Sequence, residues 1–166
     1  MTRESLAAAA VFVLGIAFLV LGNEPLHQLA AAAAAAFLWC QARILYAAKG
    51  IPAWRAREVV PLILACGLAE GSALALFFAS APAVLLLGGL AVMARALAFA
   101  RYRDAVPSAA LDPAARFLFR SGALALVLLP ASMWLPAAAP VAGIAVLAAG
   151  AWLKFTLVTR AAFKQD

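Results

Sequence analysis

Six apolar segments, each close to the length that crosses a bilayer, fix what this chain can fold into. They fall at 6–22, 28–47, 59–79, 83–100, 116–133 and 140–160, and a spanning helix takes about 20 residues. Ala, Leu, Val and Phe fill them. Of 166 residues, 68% are hydrophobic and 12% are charged; a soluble domain is about half apolar and a quarter charged. One compact soluble core of this size cannot hide so much apolar surface, and lipid accommodates it. The runs are too long for strands and lack the period-2 alternation of a barrel. The sequence therefore predicts an all-α integral membrane bundle of about six transmembrane helices, forming a single domain over 1–166.

Prolines punctuate the pattern. Pro25, Pro52, Pro61, Pro82, Pro107, Pro113, Pro136 and Pro140 sit at segment ends or in connectors, and Pro130 tapers the fifth span. The first segment has the look of a signal-peptide core. Arg3 is its only basic flank, however, and Asn23-Glu24-Pro25 is a poor cleavage site, so it is read as a retained span.

The charge pattern sets an orientation. All 13 basic residues belong to one face. Arg3 opens the chain. Arg43, Lys49, Arg55 and Arg57 follow the second span, Arg101, Arg103, Arg116 and Arg120 flank the third basic connector, and Arg160 and Lys164 close the chain. Arg95 and Lys154 lie inside spans, within about two turns of that face. The other connectors, at 23–27, 80–82 and 131–139, contain no Lys or Arg. The positive-inside rule makes the basic face cytoplasmic, with both termini inside a multi-pass inner (plasma) membrane protein. A basic face that docks an acidic partner is compatible with this. The formal charge of +6 reports membrane orientation and not nucleic-acid binding. In the connector Lys49-Gly50-Ile51-Pro52-Ala53-Trp54-Arg55-Ala56-Arg57, Gly-Ile-Pro ends the second span and Trp54 sits among cations, as interfacial tryptophans do.

Few residues can carry chemistry. Glu70 is the one acid well inside a span, and a charge at that depth costs about 2.5–3.5 kcal/mol. It must face the bundle, pair with a base or stay protonated. It is either a proton-handling carboxylate or a packing ion pair. Gly67 and Gly71 beside it form a small-xxx-small face for close helix approach. Arg95 and Lys154 either snorkel to the interface or neutralise Glu70 from a neighbouring helix. Arg43 and Tyr46, three apart, share a helix face; they could hold a quinone carbonyl, or form an aromatic belt with a snorkelling arginine. Cys40 and Cys66 lie in apolar segments without metal spacing and read as small apolar residues. His27 is the only histidine, at the non-basic end of the second span. It cannot supply paired haem ligands, and Met1, Met93 and Met133 are not placed to complete a Met/His set, so no haem is expected. No metal cluster, P-loop, GxGxxG or nucleophile–base–acid set is visible.

Three stretches resemble the membrane-anchor subunits of DMSO-reductase-type molybdopterin oxidoreductases, within the polysulfide-reductase membrane-subunit superfamily. Met1-Thr2-Arg3-Glu4-Ser5 resembles the Ser/Thr-x-Glu motif that opens the third helix of that family. Cys40-Gln41-Ala42-Arg43-Ile44-Leu45-Tyr46, continuing through Lys49-Gly50-Ile51-Pro52-Ala53-Trp54 to Gly67-Leu68-Ala69-Glu70-Gly71, is similar to anchors associated with phenylacetyl-CoA oxidoreductases. Lys154 to Phe163 resembles the family's last helix. The family has about eight spans, and the two before the Met1–Ser5 motif are absent here, so the chain is expected to be a short form or a truncation. Of the family's quinone-pocket positions, Glu4 is the one present.

The resemblance implies electron transport in anaerobic respiration. The chain would anchor an iron–sulfur subunit and a molybdopterin catalytic subunit, and exchange electrons with quinone or menaquinone without covalently bound cofactors of its own. Glu4, Arg43 and Tyr46 would position the quinone, with Glu70 and Arg95 as a proton relay. Trp54, Arg55, Arg57, Arg101 and Arg103 would dock the iron–sulfur subunit. Two other readings remain: a small proton-coupled transporter or channel using Glu70 and Arg95, in which Gly88-Gly89 interrupts the fourth span, and a truncated, non-catalytic scaffold.

Overall fold

In the computed structural model, residues 3–48, 51–79 and 81–160 are described. Met1 and Thr2 of the opening motif, Lys49 and Gly50 of the basic connector, Ser80, and the tail with Phe163 and Lys164 lie outside these residues. The chain forms six helices, with no strand among the described residues: α1 (Arg3–Leu21), α2 (Glu24–Ala47), α3 (Val59–Ala75), α4 (Pro82–Ala105), α5 (Asp112–Ala131) and α6 (Ala138–Thr159). Single-turn 3-10 helices at Pro52–Arg55 and Ala109–Leu111 occupy two connectors.

Local chemistry sets the ends. Prolines stand in the first turns of α2, α4 and α5, where their missing N–H is no loss. Gly22 ends α1 with φ +62°, the left-handed cap that glycine adopts without a Cβ penalty, and its N–H donates to Phe18 O at 2.8 Å. Only Gly22 and Asn23 separate α1 from α2, so the two must run antiparallel. Pro130 ends up in the last turn of α5.

Five helices are long and apolar enough to cross a membrane; α3, at 17 residues, is shorter. Sequence places a sixth full span at 59–79, but the α-helix stops at Ala75 and continues as turns to Phe78. Ala81, before Pro82, is held extended (φ −60°, ψ 143°), as a following proline requires, so the chain must leave the helix first. At about 25 Å, α3 falls short of a hydrocarbon core of about 30 Å. Its position explains the tolerance: α3 packs against α2, α4 and α6 and buries Val59, Leu62, Ile63, Ala65, Cys66, Ala69 and Ala73.

Neighbouring helices alternate in direction. Gly67 faces Leu38, Gly88 faces Ser72 and Leu129, and Gly122 faces Val92. The basic connectors thereby gather at one end. α1 lies against α2 and buries nothing of its own; Phe12, Ile16, Leu19 and Val20 point outward, towards lipid.

The core divides into two apolar halves. Near the basic end are Ala42, Val59, Leu62, Cys66, Phe99, Tyr102, Leu111, Leu118, Leu153 and Leu157. Toward the other end are Ala69, Ala73, Leu85, Val92, Ala125, Leu129, Ala142 and Val146. Four-residue spacing puts Ala65, Ala69 and Ala73 on one face of α3. On α6, a Cβ at Gly143 would stand 2.8 Å from Ala73 O, and one at Gly150 would overlap Glu70 Oε1. α6 thus approaches the α3 backbone through its glycines, and on the Gly67/Gly71 face expected from sequence Gly67 alone makes room for a neighbour, Leu38 of α2. Gly71 has nothing within 4 Å, and Gly67 faces a leucine. α4 runs unbroken through Gly88-Gly89.

Glycine costs a helix about 0.5–1 kcal/mol relative to alanine, so Gly71→Ala is expected to raise the melting temperature slightly. Gly143→Ala meets a backbone oxygen and is expected to lose about 1–3 kcal/mol instead. Thermal unfolding in detergent, followed by circular dichroism, reads the opposite signs.

Candidate functional site

Between the two apolar halves lies a charged layer. Glu70 follows Ala69 on α3, Arg95 stands between Val92 and Ala98 on α4, and Lys154 follows Leu153 on α6. Lys154 Nζ donates to Glu70 Oε2 at 2.5 Å. Arg95 is fully buried; its Nη1 donates to Val146 O at 2.8 Å, and it lies within Coulombic range of Glu70 and Cys66. Formal charges here are one negative and two positive.

Helix geometry explains why both cations point inward. A helical side chain leans towards its helix N-terminus. α4 and α6 both run toward the basic end, so Arg95 and Lys154 lean away from it. α4 also extends to Ala105, past the expected end at residue 100, which puts Arg95 ten residues from its end, about 15 Å. A guanidinium cannot snorkel that far. For these two residues the snorkelling reading gives way to neutralisation: Lys154 holds Glu70 directly, and Arg95 adds a second positive charge nearby. Gly150 makes the seat, because any side chain there would fill the space of Glu70 Oε1.

Beside this layer, α2, α3, α6 and the 51–58 connector enclose a cavity of about 510 Å³. It follows about three turns of α3, from Val59 to Glu70. Most of the wall is apolar: Phe37, Leu38, Ile44, Leu45, Ile63 and Leu157. Four polar side chains join it, namely Gln41, Trp54, Glu70 and Lys154. Ile44 and Val158, on its rim, are about half exposed, so it opens sideways between α2 and α6. Beyond the layer, the core halves close: the space among Ala69, Ser72, Gly88, Ala125 and Val146 leaves no room for a water molecule.

The residues singled out in sequence distribute unevenly around this cavity. Glu4 accepts a hydrogen bond from Gln41 Nε2 at 3.0 Å and so adjoins the wall through Gln41. Arg43 is exposed, its guanidinium 5.7 Å from the Tyr46 ring centre, and neither residue lines the cavity; the adjacent Gln41, Ile44 and Leu45 do. Trp54, expected on the docking face, is partly buried and forms part of the cavity wall, with its Nε1 sealed from solvent. Arg55, Arg57 and Arg101 are exposed. Arg103 pairs with Asp112 at 3.0 Å over a second, open recess lined by Asp104, Ser108 and Phe119. His27 stacks on Phe18 at 4.9 Å and touches Glu24 at the non-basic end. Cys40 and Cys66 are free. Among the described residues, no three His, Cys, Asp or Glu side chains gather as metal ligands.

No known protein family, characterised protein or solved structure matches this chain. The site therefore rests on its own geometry. Gln41 and Lys154 were its least legible members. Leu38, Gln41 and Leu45 share a face at i, i+3 and i+7, and that phase could have pointed Gln41 inward.

Removing one partner of a buried pair costs about 3–5 kcal/mol. The Lys154 side chain is 43% exposed, so Lys154→Met is expected to lose less, about 2 kcal/mol. Adding Glu70→Gln should restore most of it. A melting series on the two single variants and the double variant measures the coupling.

Proposed function

We propose that this chain is the membrane subunit of an oxidoreductase. It binds quinol or quinone in the α2–α3–α6 cavity and passes electrons to an iron–sulfur subunit seated on the basic face, which serves a molybdopterin catalytic subunit. The observation that carries the reading is the cavity. Its volume lies in the range of small-molecule sites, about 300–1,000 Å³. Its wall is apolar, its mouth faces lipid, and its polar groups include a carboxylate paired with an amine. A redox lipid with a polar ring and a hydrocarbon tail matches that lining. The resemblance of the Cys40–Gly71 stretch to anchor subunits supports the partners. The positive-inside rule supports a cytoplasmic basic face in a plasma membrane, with both termini on that side.

Oxidation of a quinol releases two electrons and two protons. The electrons leave to the iron–sulfur cluster of the partner. The protons need an acceptor inside the cavity, and the Glu70 carboxylate takes them one at a time, handing on the first before it accepts the second. Oε2 is held by Lys154, while Oε1 has no hydrogen-bond partner among the described residues. Lys154, five residues before the end of α6, leads the proton toward the basic face. Arg55, Arg57, Arg101 and Arg103 offer that face to an acidic docking surface.

The charged layer also favours a second reading, a proton-coupled transporter. Unbroken helices and the closed core beyond Glu70 weigh against it, since carriers build their sites from interrupted helices. Proton flux into liposomes containing this chain alone would decide for the transporter.

In the assembled complex, Glu70→Gln is expected to slow quinol oxidation by about 10²-fold while subunits stay associated on size-exclusion chromatography. Turnover at the wild-type rate would remove Glu70 from the mechanism.

A further inference from the structure

A groove between α4 and α5 shares no lining residue with the α2–α3–α6 cavity. Its deeper part is an apolar hollow of about 260 Å³, walled by Met93 and Ala96 on α4 and by Gly122, Ala123 and Leu126 on α5. Gly122 and Ala123 carry almost no side chain, which leaves the space. Met93 and Leu126 are exposed on the perimeter, so the hollow faces lipid. Arg95 also touches it, but its Nη1 bonds Val146 O on α6.

Towards the basic end the hollow meets the open recess of about 600 Å³, and Phe119 belongs to both. From Val92 to Arg103 the groove follows α4 for about 17 Å. Its character changes on the way, from apolar at membrane depth to polar where α4 ends and α5 begins. Four polar side chains line the recess: Arg103, Asp104, Ser108 and Asp112. Their formal charges are one positive and two negative. That balance runs against the rest of this face. Arg101 and Arg116, on neighbouring turns, are exposed and do not line the recess. Arg103 Nη2 donates to Asp112 Oδ1 at 3.0 Å. Asp104 is exposed and forms no ion pair among the described residues. A carboxylate at headgroup level repels lipid phosphate unless a cation comes with it.

We propose that this groove binds a phospholipid whose headgroup bears a primary amine, the phosphatidylethanolamine class. One acyl chain lies in the hollow against Met93, Ala96 and Leu126. The phosphate accepts from the Arg103 N–H groups not used by Asp112, and from the Ser108 hydroxyl. The ammonium donates to Asp104 and to the remaining oxygen of Asp112. A primary ammonium has N–H groups to give, whereas a choline headgroup has none. A glycerol headgroup leaves the phosphate charge unbalanced beside two carboxylates. The proposal needs only that the bundle sits in lipid and holds whatever the α2–α3–α6 cavity binds.

The test uses the full chain, purified in detergent, with native mass spectrometry as the readout. The probes are phosphatidylethanolamine, phosphatidylcholine and phosphatidylglycerol with identical dioleoyl chains, supplied in equal amounts. The ethanolamine lipid is expected to be retained about fivefold over the choline lipid, the worth of one exposed ion pair, and the glycerol lipid least. Asp104→Asn alters an exposed side chain and should bring the ethanolamine and choline lipids level, with choline binding unchanged. Ala96→Trp fills the hollow and should lower all three alike. Equal retention of the ethanolamine and choline lipids by the wild-type chain overturns the proposal, as does preference for the glycerol lipid. So does an ethanolamine preference that survives Asp104→Asn. The wild-type ranking stands even where a variant folds poorly.

Discussion

The arrangement of this bundle follows from one carboxylate placed in the middle of an apolar helix. Glu70 sits well inside α3, and an unpaired charge at that depth is costly enough to require an answer from neighbouring helices. The answer comes from two directions. Lys154 on α6 bonds the carboxylate, and Arg95 on α4 places a guanidinium within range. Three helices are thereby brought to one level. Hydrophobic burial cannot do this in lipid, because lipid tails are as apolar as the side chains they would replace. The packing around the layer relies on small residues instead. Ala65, Ala69 and Ala73 meet Gly143 and Gly150, and the second of those glycines gives Glu70 Oε1 its place.

The same layer divides the interior into unequal halves. On the far side, the core closes until no water fits. On the basic side, α2 packs on α3 but stands off from α6 and leaves a cavity that opens between them. The separation traces to the peripheral hairpin. α1 and α2 contribute little to the buried core, with Ala42 the one buried residue of α2. A helix held mainly along one edge can leave a gap beside it, whereas α3 and α6, locked by alanine and glycine, cannot.

Much of this was legible in the sequence, for physical reasons that can be named. Six apolar runs announced the helices, since no other backbone arrangement satisfies its hydrogen bonds over such lengths in lipid. Glu70 announced itself because a mid-span acid is expensive. The ends of α2, α4 and α5 followed from proline. Three features were not legible. The early end of α3 depends on the backbone before Pro82, which hydropathy does not register. The choice between Gly67/Gly71 and the Ala65/Ala69/Ala73 face depends on helix phase relative to a partner, and both spacings read alike in one dimension. The inward turn of Trp54 depends on a bond to Ala53 O from the Tyr102 hydroxyl, nearly fifty residues away, and a tryptophan among arginines carries the same local signal whether it faces lipid headgroups or a cavity.

That last bond ties the exterior to the interior. Arg101, Tyr102 and Arg103 are consecutive on α4, and a helix advances about 100° per residue, so successive side chains cannot share a direction. The two arginines take the outer directions and Tyr102 takes the inner one, where it is sealed by the basic-end core and fastened to Ala53. One side of this turn carries the cations, and the other holds the connector that carries Trp54. A rigid-body shift of that turn must move both.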